Sequence, residues 1–215
     1  MAAVAGILEP WAAGPGLAAQ GVLSQFTYDD LRVSGLQVDV GSLAARDLRG
    51  ALVGGVRLDA GYLARHVRLL FGVSFARSEF DRRALARFNR QLLALVNDPD
   101  SNATIDVGRI RLADLTADLD VQYVLNEGRP VTMALGLGVG VHLRNGSGRA
   151  IDGTFVEDAL DGVAPALNGT IGVAVALTSA WRFTGELRGM LLSEFATASA
   201  RLGFMFRFPG VRGGK

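Results

Sequence analysis

Cysteine is absent from all 215 residues, which excludes disulfide frameworks, thiolate metal sites and cysteine nucleophiles. Lysine is nearly absent: Lys215 is the only one, and every other basic residue is arginine. Charge of one sign is not in excess either. Twenty-two basic side chains meet 21 acidic ones, for a net +1, which argues against an electrostatic nucleic-acid binder. Long apolar runs are also missing. Pro10 to Tyr28 is nearly free of charge but holds Pro10, Pro15 and several glycines. Gly162 to Trp181 is the length of a membrane helix, yet it contains Pro165, Asn168-Gly169 and Gly172. Its apolar heart, Ile171 to Leu177, reads as a strand following an Asn-Gly turn. No helix is therefore expected to cross a membrane, a requirement that a membrane β-barrel does not have.

What is present in quantity is apolar residues, at 49%, and glycine, with 28 copies against an ordinary usage of about 7%. The apolar residues are arranged with a period of two. In Asp114 to Leu125, one parity gives Leu115, Ala117, Leu119, Val121, Tyr123 and Leu125, and the other gives Asp114, Thr116, Asp118, Asp120 and Gln122. Alternate side chains of a strand point to opposite faces, so one face here is apolar and the other carries three carboxylates. Val131, Met133, Leu135, Leu137, Val139, Val141 and Leu143 form an unbroken apolar row opposite Thr132, Ala134, Gly136, Gly138, Gly140, His142 and Arg144.

Six further segments follow the same rule. They lie near Val33 to Leu43, Leu52 to Leu63, Val67 to Phe75, Ile171 to Leu177, Trp181 to Leu191, and Leu202 to Phe208. In the second, Leu52, Val56, Leu58, Ala60 and Tyr62 are assigned to the apolar face. Eight strands result, most of them long enough to cross a bilayer at a tilt, which takes about 9–11 residues. The connections after strands two, four and six are short. Those after three (Ser78 to about Asn102) and five (Asn145 to about Leu167) are long. Short turns at one rim and long loops at the other match an outer-membrane barrel.

With the apolar face toward lipid, the lumen receives Asp39, Asp59, Asp114, Asp118, Asp120 and Glu186 against Arg57, Arg68, Arg182, Arg188, Arg201 and Arg207. Six acids and six bases predict an internal ion-pair network, because buried charges must be paired. An eight-stranded barrel is just wide enough for side chains to fill it, so the interior is expected to be narrow and plugged. The inward glycines Gly136, Gly138 and Gly140 are expected to make room for long arginines opposite. Alternation alone also permits the reverse, a soluble periplasmic or extracellular barrel that binds a small apolar ligand inside.

The last strand, Ala200-Arg-Leu-Gly-Phe-Met-Phe-Arg-Phe208, resembles the C-terminal strand of bacterial outer-membrane barrels, with Phe204, Phe206 and Phe208 as alternating aromatics. With the strand number and loop pattern, Gln20 to Phe208 resembles the small OmpA-like or OmpW-like barrel superfamily. The resemblance implies an all-β fold: one eight-stranded antiparallel up-and-down transmembrane barrel in the bacterial outer membrane. It implies a structural or loosely porin-like role, and partners limited to outer-membrane lipid and, during biogenesis, the barrel-insertion machinery that reads the terminal aromatics. A monomer is expected, with no cofactor, no metal and no nucleic acid. Met1 to Ala19, ending Leu17-Ala18-Ala19, reads as a signal-peptide remnant or an unstructured N-terminus. Pro209 to Lys215 form a short tail, a departure from relatives that end on the Phe.

Four constellations stand out against this background. Some barrels of the superfamily modify lipid A with a His, a Ser and an acid. Here His142-Leu143-Arg144 lacks the His-x-Ser pair, so His142 is expected to be a polar lumen residue and no enzymatic activity is expected. His66 is expected to be solvated in a tight turn. Asp98, Asp100 and Asn102 begin like a calcium loop, but Ala103 stands where a Gly is required and Arg109 where an acid must close it. Arg82 to Val96 has a helical period, with Leu85, Phe88, Leu92, Leu95 and Val96 on one face, and Asn97-Asp98-Pro99 to end it. This places an amphipathic helix in the third-to-fourth loop. A weaker helical segment is expected from Thr154 to Leu160.

Overall fold

The computed structural model describes residues 31–96, 108–149, 151–192 and 196–209. The N-terminal segment Met1 to Ala19, the Asp98 to Asn102 turn and the tail from Gly210 lie outside them.

Eight antiparallel strands close into a barrel in sequence order. They are β1 (Leu31–Ala45), β2 (Ala51–Ala64), β3 (Val67–Glu79), β4 (Arg111–Leu125), β5 (Val131–Ser147), β6 (Gly162–Ala176), β7 (Trp181–Leu192) and β8 (Ala196–Arg207). Closure comes from β8, which pairs with β7 on one side and with β1 on the other, as in Phe204↔Val38 and Leu202↔Val40. Among the described strands, closure leaves no open sheet edge to template another chain.

One rim carries the tight turns β2–β3, β4–β5 and β6–β7. The other carries the long connections and the two helices of the described residues, α1 (Arg82–Val96) and α2 (Phe155–Leu160). Thr154 caps α2, its hydroxyl accepting from the Val156 amide at 3.3 Å. Ile110 and Ile151 are buried beneath these connections, with Phe80, Leu85, Val156 and Leu160 packed against them.

Three local expectations are corrected. First, β6 begins at Gly162, not near Ile171, and Asn168-Gly169 is the middle of a strand and not a turn. The ladder to β5 runs unbroken through Leu137↔Gly169 and Gly138↔Asn168. Pro165 takes part in that ladder opposite Val141, near the loop end of the strand. The loop after β5 is correspondingly shorter than expected. Second, Tyr62 does not join the outer row of β2. The register shifts between Asp59 and Tyr62, where Gly61 adopts a positive φ of 93°, and Tyr62 then pairs with the inward Arg68. An extra residue in one strand reverses the parity of everything after it. Third, the inward glycines of β5 make room for short polar side chains of the adjacent strands. A Cβ on Gly138 would lie 2.7 Å from Asn168 Oδ1 and would overlap Asp120 Oδ1; one on Gly136 would lie 2.7 Å from Gln122 Cγ.

Candidate functional site: a filled lumen inside an apolar wall

The outward faces are apolar around the circumference. Val38, Val40, Leu52, Phe71, Val73, Leu135, Leu137, Val139, Leu167, Ile171, Leu187, Leu202 and Phe204 are all exposed, Leu137 to 76%. Scattered apolar residues are normal on a soluble surface, but a continuous belt is not. The reading of an apolar-lined ligand cavity fails on this point, since the apolar rows that would line it face out.

The inward faces hold the charge. At mid-height, Arg188 of β7 lies between two strands. It reaches Asp118 Oδ1 at 3.0 Å and hydrogen bonds to Asp120, both on β4, and its Nε donates to Glu186 Oε1 at 3.3 Å. The Arg188 side chain is completely buried. Arg57 of β2 grips the same Glu186 with a two-pronged contact, Nη2 to Oε1 at 2.6 Å and Nη1 to Oε2, and stands 3.9 Å from Asp39. Arg201 of β8 reaches Asp39 at 3.5 Å and donates to Ser74 of β3 at 3.4 Å.

Three of these links join strands that are three positions apart around the barrel: β4 to β7, β2 to β7 and β3 to β8. Such links can be made only across the lumen. A two-pronged guanidinium–carboxylate contact also fixes orientation, which a single point contact does not. Glycines clear the space. Asp118 occupies the volume where a Cβ of Gly72 would lie, and Asp39 lies within 3.1 Å of one on Gly55.

The remaining members of the expected set lie nearer the ends. Arg68 donates to Gln122 Oε1 at 2.7 Å and stands 3.6 Å from Asp59, whose other oxygen accepts from the Gly61 amide. Asp114 contacts His142 Nδ1 at 2.8 Å. Arg182 donates to Thr132 Oγ1 at 3.1 Å, and neither it nor Arg207 enters an ion pair among the described residues. Phe204 stacks edge-on against Phe183 at 5.5 Å, and Phe206 contacts Trp181 at 5.0 Å and Phe208 at 5.7 Å. These rings form a patch at the turn rim, where aromatic girdles of membrane barrels sit.

Two features are not evident from the sequence reading. Apolar side chains share the inward faces with the charge: Leu43, Ala51, Val53 and Ala76 form a buried inward cluster on the loop side. Leu70, Val124, Ala134 and Met205 are buried inward residues nearer the turns. The signal was available, since each lies on the polar parity of its strand. His66 is also more than a solvated turn residue. It adopts a positive φ of 66°, contacts Glu127 Oε2 at 3.1 Å and meets Tyr123 edge-on at 5.9 Å. At His142 the protein contacts, Asp114 and Thr116 Oγ1 at 3.2 Å, both fall on Nδ1.

A closed sheet that is apolar outside and charged inside is the architecture of a membrane-spanning β-barrel of the outer-membrane type. Closing the sheet lets the described strands pair with a neighbour on either side, which is how a sheet meets the requirement of hydrocarbon. No family model matches the chain, and no curated protein matches it. Among solved structures, the chain is similar to several outer-membrane proteins at low identity. Neisserial surface protein A is 16% identical, with 81% of this chain and 96% of that one covered, at a TM-score of 0.47. The Ail attachment invasion locus protein of Yersinia pestis is 11% identical over 82% and 99%, at 0.47. A major outer membrane protein of Thermus thermophilus is 15% identical over 82% and 100%, at 0.49.

Proposed function

We propose that the protein is an integral barrel of the bacterial outer membrane that acts through its wall and loops and does not conduct solutes. One observation carries this reading. Arg188 is fully buried while bound to acids on β4 and to Glu186, and Glu186 is in turn held by Arg57 of β2. A solute moving along the lumen would have to separate these pairs in a site without bulk water, and breaking a buried pair costs about 3–5 kcal/mol. The inward apolar clusters above and below lengthen the block. The role left to the molecule is structural, or recognition by the loop rim. The terminal aromatics Phe204, Phe206 and Phe208 are then the feature read during insertion, and lipid is the standing partner.

The test is conductance across planar bilayers. The wild-type barrel should give no resolvable current steps at moderate voltage. Steady unitary conductance from pure, folded protein would replace this reading with a porin-like one.

A further inference from the structure

We infer that Arg49, Arg77 and Arg111 form a docking site for the phosphate of a lipid headgroup in the leaflet on the loop side. The inference rests on the membrane reading above and adds a lipid chemistry to it. The outward row of β3 runs Phe71, Val73, Phe75 and then Arg77; that of β4 runs Leu115, Ala113 and then Arg111. On β5, Leu143 is followed outward by Asn145 and Ser147. The change from apolar to charged outward side chains marks the level at which hydrocarbon gives way to headgroups.

Strand register gathers these residues into one patch. Arg77 pairs with Leu52 and Ala113, and Arg111 pairs with Glu79 and Ser147. Arg49 is brought in by its backbone: its amide donates to the Glu79 carbonyl at 2.8 Å, and its carbonyl accepts from Ser78 Oγ at 2.8 Å. Together they line a groove of about 550 Å³ with Asn145 and Ser147.

The charge is not cancelled. Glu79 is the one acid among these lining residues, and it stands 3.5 Å from Arg49 and 3.8 Å from Arg111. Among the described residues that line the groove, three guanidinium groups stand against one carboxylate, and the next acid, Asp161, accepts from Asn145 Nδ2 at 3.1 Å, which still leaves positive charge in excess. The Arg49 and Arg111 side chains remain 64% and 68% exposed, so most of their donors face outward. Arg77 lies over the Phe75 ring at 5.7 Å, which holds its charge against the top of the apolar belt. Planar guanidinium groups bind phosphate oxygens in two-pronged fashion. Acyl chains of the same lipid would lie along Phe75, Leu115, Leu143 and Leu52 below. On helix α1, Arg87 is paired with Asp47, which does not line the groove.

The experiment uses the full folded barrel in detergent micelles, read by native mass spectrometry with added phosphatidic acid, phosphatidylcholine or inorganic phosphate. Wild-type protein should retain phosphatidic acid in preference to phosphatidylcholine. Each Arg→Gln change should weaken phosphatidic acid binding about fivefold, and the R49Q/R77Q/R111Q variant should abolish the preference. Glu79→Gln should act in the opposite direction and tighten it. Equal binding of phosphatidic acid to wild type and triple variant would overturn the inference. So would inorganic phosphate binding as tightly as the lipid, which would assign the patch to a free anion. Insertion into phosphatidylcholine vesicles, followed by the mobility shift on boiling, separates the two readings. A wild type that does not insert removes both; one that inserts without headgroup preference removes only this one.

Discussion

The wall and the lumen are built from the same eight strands and solve opposite problems. In β5 the outward Leu137 is 76% exposed, while the inward His142 five residues on is 1% exposed. Outside, the requirement is generic: any apolar side chain of ordinary size satisfies lipid. Inside, it is particular, because every buried charge needs a named partner at a set distance. Arg188 works only with Asp118, Asp120 and Glu186 around it, and Asp118 fits only because Gly72 has no side chain. A period-two sequence can therefore drift freely on one face and hardly at all on the other.

This difference can be broken most severely from inside. Arg188→Ala leaves Asp118 and Asp120 without their arginine while Glu186 keeps Arg57, and the expected loss is about 3–5 kcal/mol. Urea unfolding from lipid vesicles, followed by tryptophan fluorescence, would measure it. A loss below about 1 kcal/mol would show that the network is not a structural element. Next in size is a charge placed on the wall. Leu137→Arg sits at the centre of the seven-residue outward row, where such a change costs about 2–4 kcal/mol. The same assay reads it, and a neutral outcome would mean that this face meets water. The smallest effects come from a matched pair of neighbours. Gly138→Ala puts a Cβ 2.6 Å from the Leu119 carbonyl oxygen and onto Asp120, for an expected cost of about 1–3 kcal/mol. Val139→Leu, one residue away on the wall, should stay within about 0.5 kcal/mol. Equal costs at the two positions would erase the distinction between the faces.

The same distinction sets what could be read from sequence. Strand number, parity of the apolar face, rim asymmetry and the Arg82–Val96 helix all follow from local periodicity, and local periodicity is what a sequence displays. The first half of β6 escapes such a reading because its alternation is carried by Ala164, Ala166 and Gly169 beside Pro165, residues too small or too turn-like to register. Tyr62 reads onto the wrong face because one bulge at Gly61 reverses parity and leaves no trace in composition. The sharing of Glu186 between Arg57 and Arg188 depends on closure, which brings β2 and β4 to face β7 from either side. Six acids and six bases on one parity announce charge in the lumen. They do not reveal that Asp114 contacts His142, or that Arg182 donates to Thr132.

The central claim is that the apolar face meets lipid and the polar face does not. With no native cysteine, single cysteines can be introduced and labelled with an environment-sensitive fluorophore in reconstituted barrels. Brominated-chain lipids should quench labels at Leu135→Cys, Leu137→Cys and Val139→Cys strongly. They should leave labels at the inward Ser74→Cys and Thr184→Cys largely unquenched. Quenching of the inward pair, with the β5 row responding only to an aqueous quencher, would contradict the account.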